Sequence, residues 1–527
     1  MRYIVQITAA FVFWAASLGA ALAQEDDKGF LTRTIQNALS GSGRTVSIDG
    51  FQGALSSTAS FDQMTIADGQ GIWLTLDDVV LDWNRSALLR GRLEVEKLTA
   101  GRLDIPRLPV SEGVDLPDAE ATPFSLPELP VSIDIADFGV DQINLGADLL
   151  GEAAQLNVQA TAQYTDDLID LDVSANRTDA KRGEFEIKVN LERSDNILDL
   201  IVRLSEGEEG LVGKLLSLPG QPSVDMTVNG SGPLDAFASD LNISTDGQER
   251  LAGQITVGTQ EARSGSDAAD RRIQADIGGD ISALLAPQFR EFFGENVQLT
   301  LDAVVKGTGA IELSSFDLDT SAADLAGKVA LNADKWPTFI DVSGTVANPQ
   351  GTSILLPVGG DGTQVDRIEL RVNYDAADGE AFDASFDIDT LQMTGLSIAS
   401  TQVQLDGTLQ GNVGSVGQFL GDMTFAADGL TLSDVASAEA IGNQITGKAN
   451  INYIEGQPTR ISDLDLTGTD YGLVGQIIIA GLENNFRTRL DMALTAADIS
   501  RFSALAGREL DGATELALKG TITPLGG

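Results

Sequence analysis

Glu184-Phe185-Glu186-Ile187-Lys188-Val189-Asn190-Leu191-Glu192 alternates polar and apolar residues without a fault. A β-strand turns successive side chains to opposite faces, so this stretch reads as a strand with one dry face and one wet face. The period returns where Ile368, Leu370, Val372 and Tyr374 interleave with Arg367, Glu369, Arg371 and Asn373. Leu156–Tyr164, Val224–Val228 and Val297–Ala303 repeat it, and such runs recur from Val46 to Thr523. Neighbouring runs are separated by turn-like breaks, Tyr164-Thr165-Asp166-Asp167 and Asp375-Ala376-Ala377-Asp378-Gly379. Short breaks of this kind are hairpin connections, so the sheet is expected to be antiparallel. The helical crossovers of a parallel sheet are mostly missing. The chain therefore reads as mostly β, with a long antiparallel sheet and a few short helices.

The clearest helix opens at Asp280-Ile281-Ser282. Its apolar positions Ile281, Leu284, Leu285, Phe289, Phe292 and Phe293 form one stripe, with Asp280 as N-cap and Gly294 near the stop. Pro287 lies inside it and is expected to kink or break it. Shorter candidates are Phe30–Leu39, Glu209–Leu218 and Asp498–Ala506. Asp498-Ile499-Ser500 echoes Asp280-Ile281-Ser282, and each is followed by an alternating run. A second echo links Leu251-Ala252-Gly253-Gln254-Ile255, Leu325-Ala326-Gly327-Lys328-Val329 and Leu473-Val474-Gly475-Gln476-Ile477. The spacings are irregular, so the repetition is of hairpins side by side rather than of a strict solenoid.

Pro106, Pro109, Pro117, Pro123, Pro127 and Pro130 crowd into 25 residues. Proline cannot donate to a strand ladder, so residues 106–130 read as an extended connector between a module at 24–105 and the long remainder, 131–527. Arg2 precedes an uncharged apolar run, Tyr3 to Ala23, ending Ala21-Leu22-Ala23. Residues 1–23 are thus a secretory signal peptide or an uncleaved membrane anchor, which places Gln24 onward outside the cytoplasm.

Composition removes whole classes of function. The 527 residues hold 34 Lys plus Arg against 78 Asp plus Glu, a net charge of −44. Nucleic-acid binding needs clustered cations to displace phosphate counterions, and the balance here is the reverse. Anionic lipid surfaces are repelled at long range as well. With no His and no Cys, disulfides, Cys/His zinc sites, Ser-His-Asp triads and Cys-His pairs are excluded. At 43% hydrophobic residues the chain can still bury a large core.

Candidate chemistry is thin. Gly442-Asn443-Gln444-Ile445-Thr446-Gly447-Lys448 has the spacing of a phosphate loop, but Ala449 stands where Ser or Thr must hold magnesium. Ile445, Gly447, Ala449, Ile451 and Tyr453 then alternate as a strand where a helix should begin. Gly359-Gly360-Asp361-Gly362 resembles part of a calcium nonapeptide, but only once. Pairs of carboxylates arise by chance among so many acids and sit in no aromatic-rich cleft. No catalytic, cofactor-binding or metal residue is named. What remains is the sheet's apolar face, with sets such as Val297/Leu299/Leu301 and Ile368/Leu370/Val372. Such a face hides in a sandwich or barrel, or curls into a trough that stays greasy inside. The same residues serve either outcome.

Leu39-Ser40-Gly41-Ser42-Gly43-Arg44-Thr45-Val46-Ser47-Ile48-Asp49-Gly50-Phe51-Gln52-Gly53-Ala54-Leu55 resembles the start of the TamB family, the inner-membrane subunit of the translocation and assembly module. So do Ala67-Asp68-Gly69-Gln70-Gly71-Ile72-Trp73-Leu74-Thr75-Leu76, Leu81-Asp82-Trp83, Leu88-Leu89-Arg90-Gly91-Arg92-Leu93 and Leu103-Asp104-Ile105-Pro106-Arg107, in that order. The connector and Leu129-Pro130-Val131-Ser132-Ile133 follow. The resemblance covers roughly the first 150 residues; the remainder is similar in texture. It implies an AsmA-like protein held at the inner membrane of a Gram-negative bacterium and crossing the periplasm. It implies an elongated antiparallel β-sheet curled into a hydrophobic groove, a β-taco, and no enzymatic activity. The implied cargo is phospholipid acyl chains or unfolded outer-membrane protein segments. The implied partner is a TamA-like outer-membrane barrel, engaged through a C-terminal domain. Family members are typically more than twice this length, so the chain reads as truncated, and that docking is doubtful for this chain. The contrasting expectation is an exported structural or adhesive β-rich protein with a sealed core.

Overall fold

The structure, a computed structural model, describes residues 45–53, 57–88, 90–109, 132–260, 269–358, 362–480 and 487–522. The signal or anchor segment, the helix expected at Phe30–Leu39, most of the proline connector and Gly359-Gly360-Asp361 lie outside the described residues. The chain divides into two compact units, Met1–Glu249 and Arg250–Gly527.

The first unit is a sheet of eleven strands: β1 (Thr45–Asp49), β2 (Thr58–Asp68), β3 (Gly71–Asn84), β4 (Arg92–Ile105), β5 (Ser132–Leu145), β6 (Ala154–Tyr164), β7 (Leu168–Arg177), β8 (Gly183–Glu192), β9 (Ile197–Glu206), β10 (Val224–Pro233) and β11 (Phe237–Thr245). Each pairs with the next in chain order, so the sheet grows by successive hairpins. All these pairings are antiparallel except β4 with β5, which run parallel from Arg92↔Ser132 to Ile105↔Leu145. The expectation of hairpins throughout fails at this one place. The proline-rich segment joins the end of β4 to the start of β5, and a parallel pair needs a long return that no tight turn supplies. The connector thus separates two stretches in sequence while their flanking strands are neighbours in one sheet.

The second unit continues the plan with β12 (Gln248–Gln260), β13 (Asp270–Gly279), β14 (Val297–Val305), β15 (Ile311–Asp319), β16 (Ala323–Leu331), β17 (Pro337–Ala347), β18 (Ile354–Leu355), β19 (Gln364–Asp375), β20 (Ala381–Met393), β21 (Leu396–Gln410), β22 (Gln418–Asp428), β23 (Thr431–Leu432), β24 (Gln444–Ile454), β25 (Thr459–Thr467), β26 (Tyr471–Ile479), β27 (Thr488–Ala496) and β28 (Thr514–Ile522). β18 and β23 are short additions beside β19 and β21, and β17 pairs directly with β19 and β22 with β24. Among the described residues β28 pairs only with β27, so the sheet does not close on itself as a barrel.

Helices are short and gather at strand ends. The segment after Asp280 is not one helix. It breaks into two 3-10 turns, Ser282–Leu284 and Pro287–Phe289, and one α-turn, Arg290–Phe293. Pro287 cannot donate its backbone hydrogen bond, and Gly294 ends the segment at φ +69°. Glu209–Leu218 shrinks to a helix at Leu211–Leu215, and Asp498–Ala506 to a 3-10 turn at Ile499–Phe502 with an α-turn at Ser503–Ala506. No helix of the described residues is long and apolar enough to cross a membrane.

Both sequence echoes have a structural cause. The Asp280 carboxylate accepts from the Ser282 amide at 3.0 Å, and Asp498 from the Ser500 amide at 2.9 Å, so each opens the same capped turn. Gly253, Gly327 and Gly475 each lie against the backbone carbonyl of an aspartate on the next strand, Asp276, Asp341 and Asp491 respectively. A Cβ there would collide with that carbonyl, so only glycine lets the two strands approach this closely.

Candidate functional site: the apolar face of the sheet

The pairing register lays the alternating residues out in rows. In the second unit one row runs Ile255, Ala275, Leu301, Phe316, Gly327, Val342, Val372, Ala384, Leu405, Met423 and Ala449, one residue per strand from β12 to β24 with the short β18 and β23 left out. Beside it runs Ile277, Leu299, Leu318, Leu325, Gly344, Leu370, Phe386, Val403 and Phe425. Neither row contains a charge. One residue along each strand, on the opposite face, the row reads Gln254, Asp276, Thr300, Asp317, Ala326, Ser343, Arg371, Ser385, Gln404, Thr424, Lys448 and Asp465. The first unit has the same two faces. Its apolar row runs Ala59, Leu81, Leu98, Phe138, Ala160, Val173, Ile187, Val202, Val228 and Leu241. The sets singled out from sequence all fall on this face: Leu299 shares a row with Leu370, and Leu301 with Val372.

This face is sheltered but not sealed. Leu301, Phe316, Val342, Val372, Leu405 and Met423 are half-buried, and the fully buried members of their row are the alanines Ala275, Ala384 and Ala449. Ile187, in the middle of the first unit's row, is 41% exposed. A sealed sandwich would cover such residues with a second sheet. Here the short helices among the described residues lie in the connections between strands. Phe292, edge-to-face with Phe293 at 5.0 Å, packs with Ala322, Ala323, Val346, Ile354 and Val365 at one end.

At the opposite strand ends the second unit curls. Trp336, just before β17, packs against Tyr453 of β24 with ring centroids 6.4 Å apart and planes tilted by 38°, and its indole N–H donates to Glu455 at 3.0 Å. Five inter-strand steps separate β17 from β24, about 24 Å in a flat sheet. Only a curled sheet brings these ends within reach of two side chains. Tyr453 lies in register with Phe419, which meets Phe382 edge-to-face at 5.3 Å, so the clasp closes over the apolar side. Gly417 gives the indole room, since a Cβ there would lie inside the ring. The Gly414 amide donates to Asp334 at 2.5 Å, Asn332 donates to the Gly411 carbonyl, and Lys335 donates to the Gly309 carbonyl at 2.6 Å. Tyr374 donates to the Leu409 carbonyl at 2.7 Å, and burial, with the charges of Glu380 and Asp375, holds its hydroxyl above the usual phenol range. None of these contacts was legible in the sequence, because each joins turns that lie far apart along the chain.

The first unit gathers its loops electrostatically. Glu152 takes Lys181 at 2.7 Å, Arg177 at 3.2 Å and also Lys214. Burial pushes its carboxyl up, but the three cations outweigh that and lower it to about 2. Glu206, 1% exposed, accepts from the Leu211 and Val212 amides at 3.1 and 2.8 Å and seats the helix Leu211–Leu215.

Among the described residues this geometry assembles no catalytic constellation. The phosphate-loop lookalike runs from the helix Val435–Ile441 into β24, so a strand follows where a phosphate loop needs a helix N-terminus. Lys448 stands exposed on the polar face, 3.7 Å from Asp465, in an open hollow of about 430 Å³. Among the described residues no group of three or more acidic side chains is placed to hold a metal ion. The chain was compared with protein-family models, with curated proteins and with solved structures, and none matches.

Proposed function

We propose that this chain is a TamB-like trough protein of the Gram-negative periplasm, attached to the inner membrane, that shelters apolar cargo for cell-envelope biogenesis. The cargo is phospholipid acyl chains passing between the inner and outer membranes, or unfolded outer-membrane protein segments, and a TamA-like barrel is the partner at the far side. The observation that carries the reading is the uncharged, half-buried apolar face, two neighbouring rows in the second unit and a like row in the first. Exposed apolar surface of this extent is costly in water unless something transient covers it. The TamB-like order of motifs before residue 150 supports the same reading. The curled clasp at Trp336 favours a trough over a flat sheet.

The test is lipid mass spectrometry on the full chain, expressed in a Gram-negative host and purified without detergent. Several phospholipid molecules per chain, lost in Leu370→Glu, are the expected result. A lipid-free, monodisperse and stable protein would instead support the exported structural or adhesive reading.

A further inference from the structure

Resting on the trough reading, we propose that the strap Asn348–Leu356 is a gate over one end of the second unit's apolar face, held shut by a strained pin between β19 and β20. Thr390 carries the strain. It sits inside β20 at φ +50°, a left-handed conformation that a β-branched side chain resists. The β19–β20 ladder passes from Val365↔Leu391 to Arg367↔Asp389 and leaves out Asp366 and Thr390 between them. On each strand this one residue turns the chain over. Val365 and Ile368 both belong to the cluster around Phe292, and so do Leu391 and Ile388, although an unbroken strand turns residues three apart to opposite faces.

The pin is the Asp366 carboxylate. It accepts the Thr390 hydroxyl from β20 and, at 2.5 Å, the Ser353 hydroxyl from the strap. The strap is fastened again where Asn348 donates to Glu291 at 2.7 Å, in the turn that carries Phe292. Ile354 of the strap and Val365 beside it are 1% and 0% exposed. At this end of the sheet a third apolar row runs Ala323, Val346, Ile368, Ile388, Thr401 and Ala427, and Ala323, Val346 and Ala427 are buried. The closed arrangement bears a second cost in that row, because the Thr401 hydroxyl is buried without a hydrogen-bond partner. Lifting the strap frees Thr390 to relax to extended backbone and lets water reach Thr401. Two local costs that end together mark the strap as poised to open, and backbone strain of this kind collects at clamps and switch regions.

The experiment measures amide hydrogen exchange of the full chain by mass spectrometry, together with uptake of the neutral fluorophore N-phenyl-1-naphthylamine. Peptides over Asn348–Leu356 should exchange about tenfold faster than those of β20 to β22. Thr390→Gly removes the strain and Thr401→Val the unpaired hydroxyl, and each should slow exchange of the strap by about fivefold. Asp366→Ala withdraws the pin and should speed it by about tenfold. Leu355→Cys/Gln364→Cys joins a directly opposed pair in a chain with no cysteine of its own. Its disulfide should hold the strap shut and slow fluorophore uptake until it is reduced. Strap exchange as slow as that of β20 to β22, or unchanged by Thr390→Gly, overturns the strained pin. Uptake at equal rates by the oxidised and reduced chains overturns the gate and leaves the trough reading standing. Uptake by neither overturns the trough reading, and with it the gate, while the exchange rates still decide the pin.

Discussion

Placing a carboxylate in the middle of the trough separates an open apolar face from a sealed core. Val372 lies in β19 between Val342 of β17 and Ala384 of β20, and its own strand puts Leu370 and Tyr374 on the same face. It is half-buried. Full burial of a valine is worth about 1.5 kcal/mol, so losing half of that contact costs about 0.8 kcal/mol. An aspartate at the trough surface keeps part of its hydration, which adds about 1 kcal/mol. Val372→Asp should therefore destabilise by about 2 kcal/mol. In a sealed core the same carboxylate would have neither water nor partner, and the cost would exceed about 4 kcal/mol. Arg371→Asp, one residue away on the exposed face, supplies the control and should move stability by no more than about 0.5 kcal/mol. The assay is urea unfolding of both variants followed by far-ultraviolet circular dichroism, with lipid content measured on the same samples. The expected outcome is a folded Val372→Asp chain that has lost its lipid. A chain that fails to fold, beside an unperturbed Arg371→Asp, would refute the open trough. A cost near zero would refute the claim that this face is sheltered at all.

The other two predictions concern what holds the sheets in shape. Glu152 titrates near 2 when folded against an ordinary value of 4.5. Because the folded value is the lower one, its stabilisation is fully present above about pH 4.5 and is lost as pH falls towards 2. The shift corresponds to about 3 kcal/mol. Urea midpoints of the full chain and of Glu152→Gln, measured from pH 2 to 7, should differ at neutral pH and converge at the acid end; parallel curves would show that the three cations do not depend on it. Gly475→Ala adds a methyl against the Asp491 carbonyl, at a φ of +155°. It should cost about 1–3 kcal/mol, whereas Gly520→Ala, with open space around it, should be nearly neutral; equal effects of the two would sink the close-approach argument.

The period of two was enough to read the sheet, since alternation at Glu184–Glu192 and at Arg367–Tyr374 directly states which side chains share a face. Register was legible only through hairpins, and so the parallel pairing of β4 with β5 escaped notice: its cause is a long connection with no alternation of its own. The helix expected after Asp280 shows the limit of a stripe argument. Ile281, Leu284, Leu285 and Phe289 do turn inwards in part, but Pro287 divides them between separate turns. The trough's apolar rows were legible as residue types, while their half-exposure was not, because a sequence records that a side chain is greasy and not whether a second layer covers it. Trp336 gave no signal as a clasp. Its partners Gly417, Tyr453 and Glu455 are 81, 117 and 119 positions away along the chain, and only the curl brings them together.

The repeated parts explain why no single site stands out. β12, β13, the turns after Asp280 and β14 correspond in order to β26, β27, the turns after Asp498 and β28. The close-approach glycines fall at 253 and 475, a separation of 475 − 253 = 222, and the capping aspartates at 280 and 498, a separation of 498 − 280 = 218. Each such module adds three strands, one glycine at a close strand approach and one capped turn, and every long strand adds one apolar position to a row. A surface assembled this way distributes its work over many equivalent positions. Apolar-for-apolar substitution at any one of them removes little, because its neighbours in the row remain. A charge or a lost close-approach glycine acts differently, since it interrupts the row itself. On that reasoning the trough is better disabled by one carboxylate at Leu370 or Val372 than by several conservative changes along it.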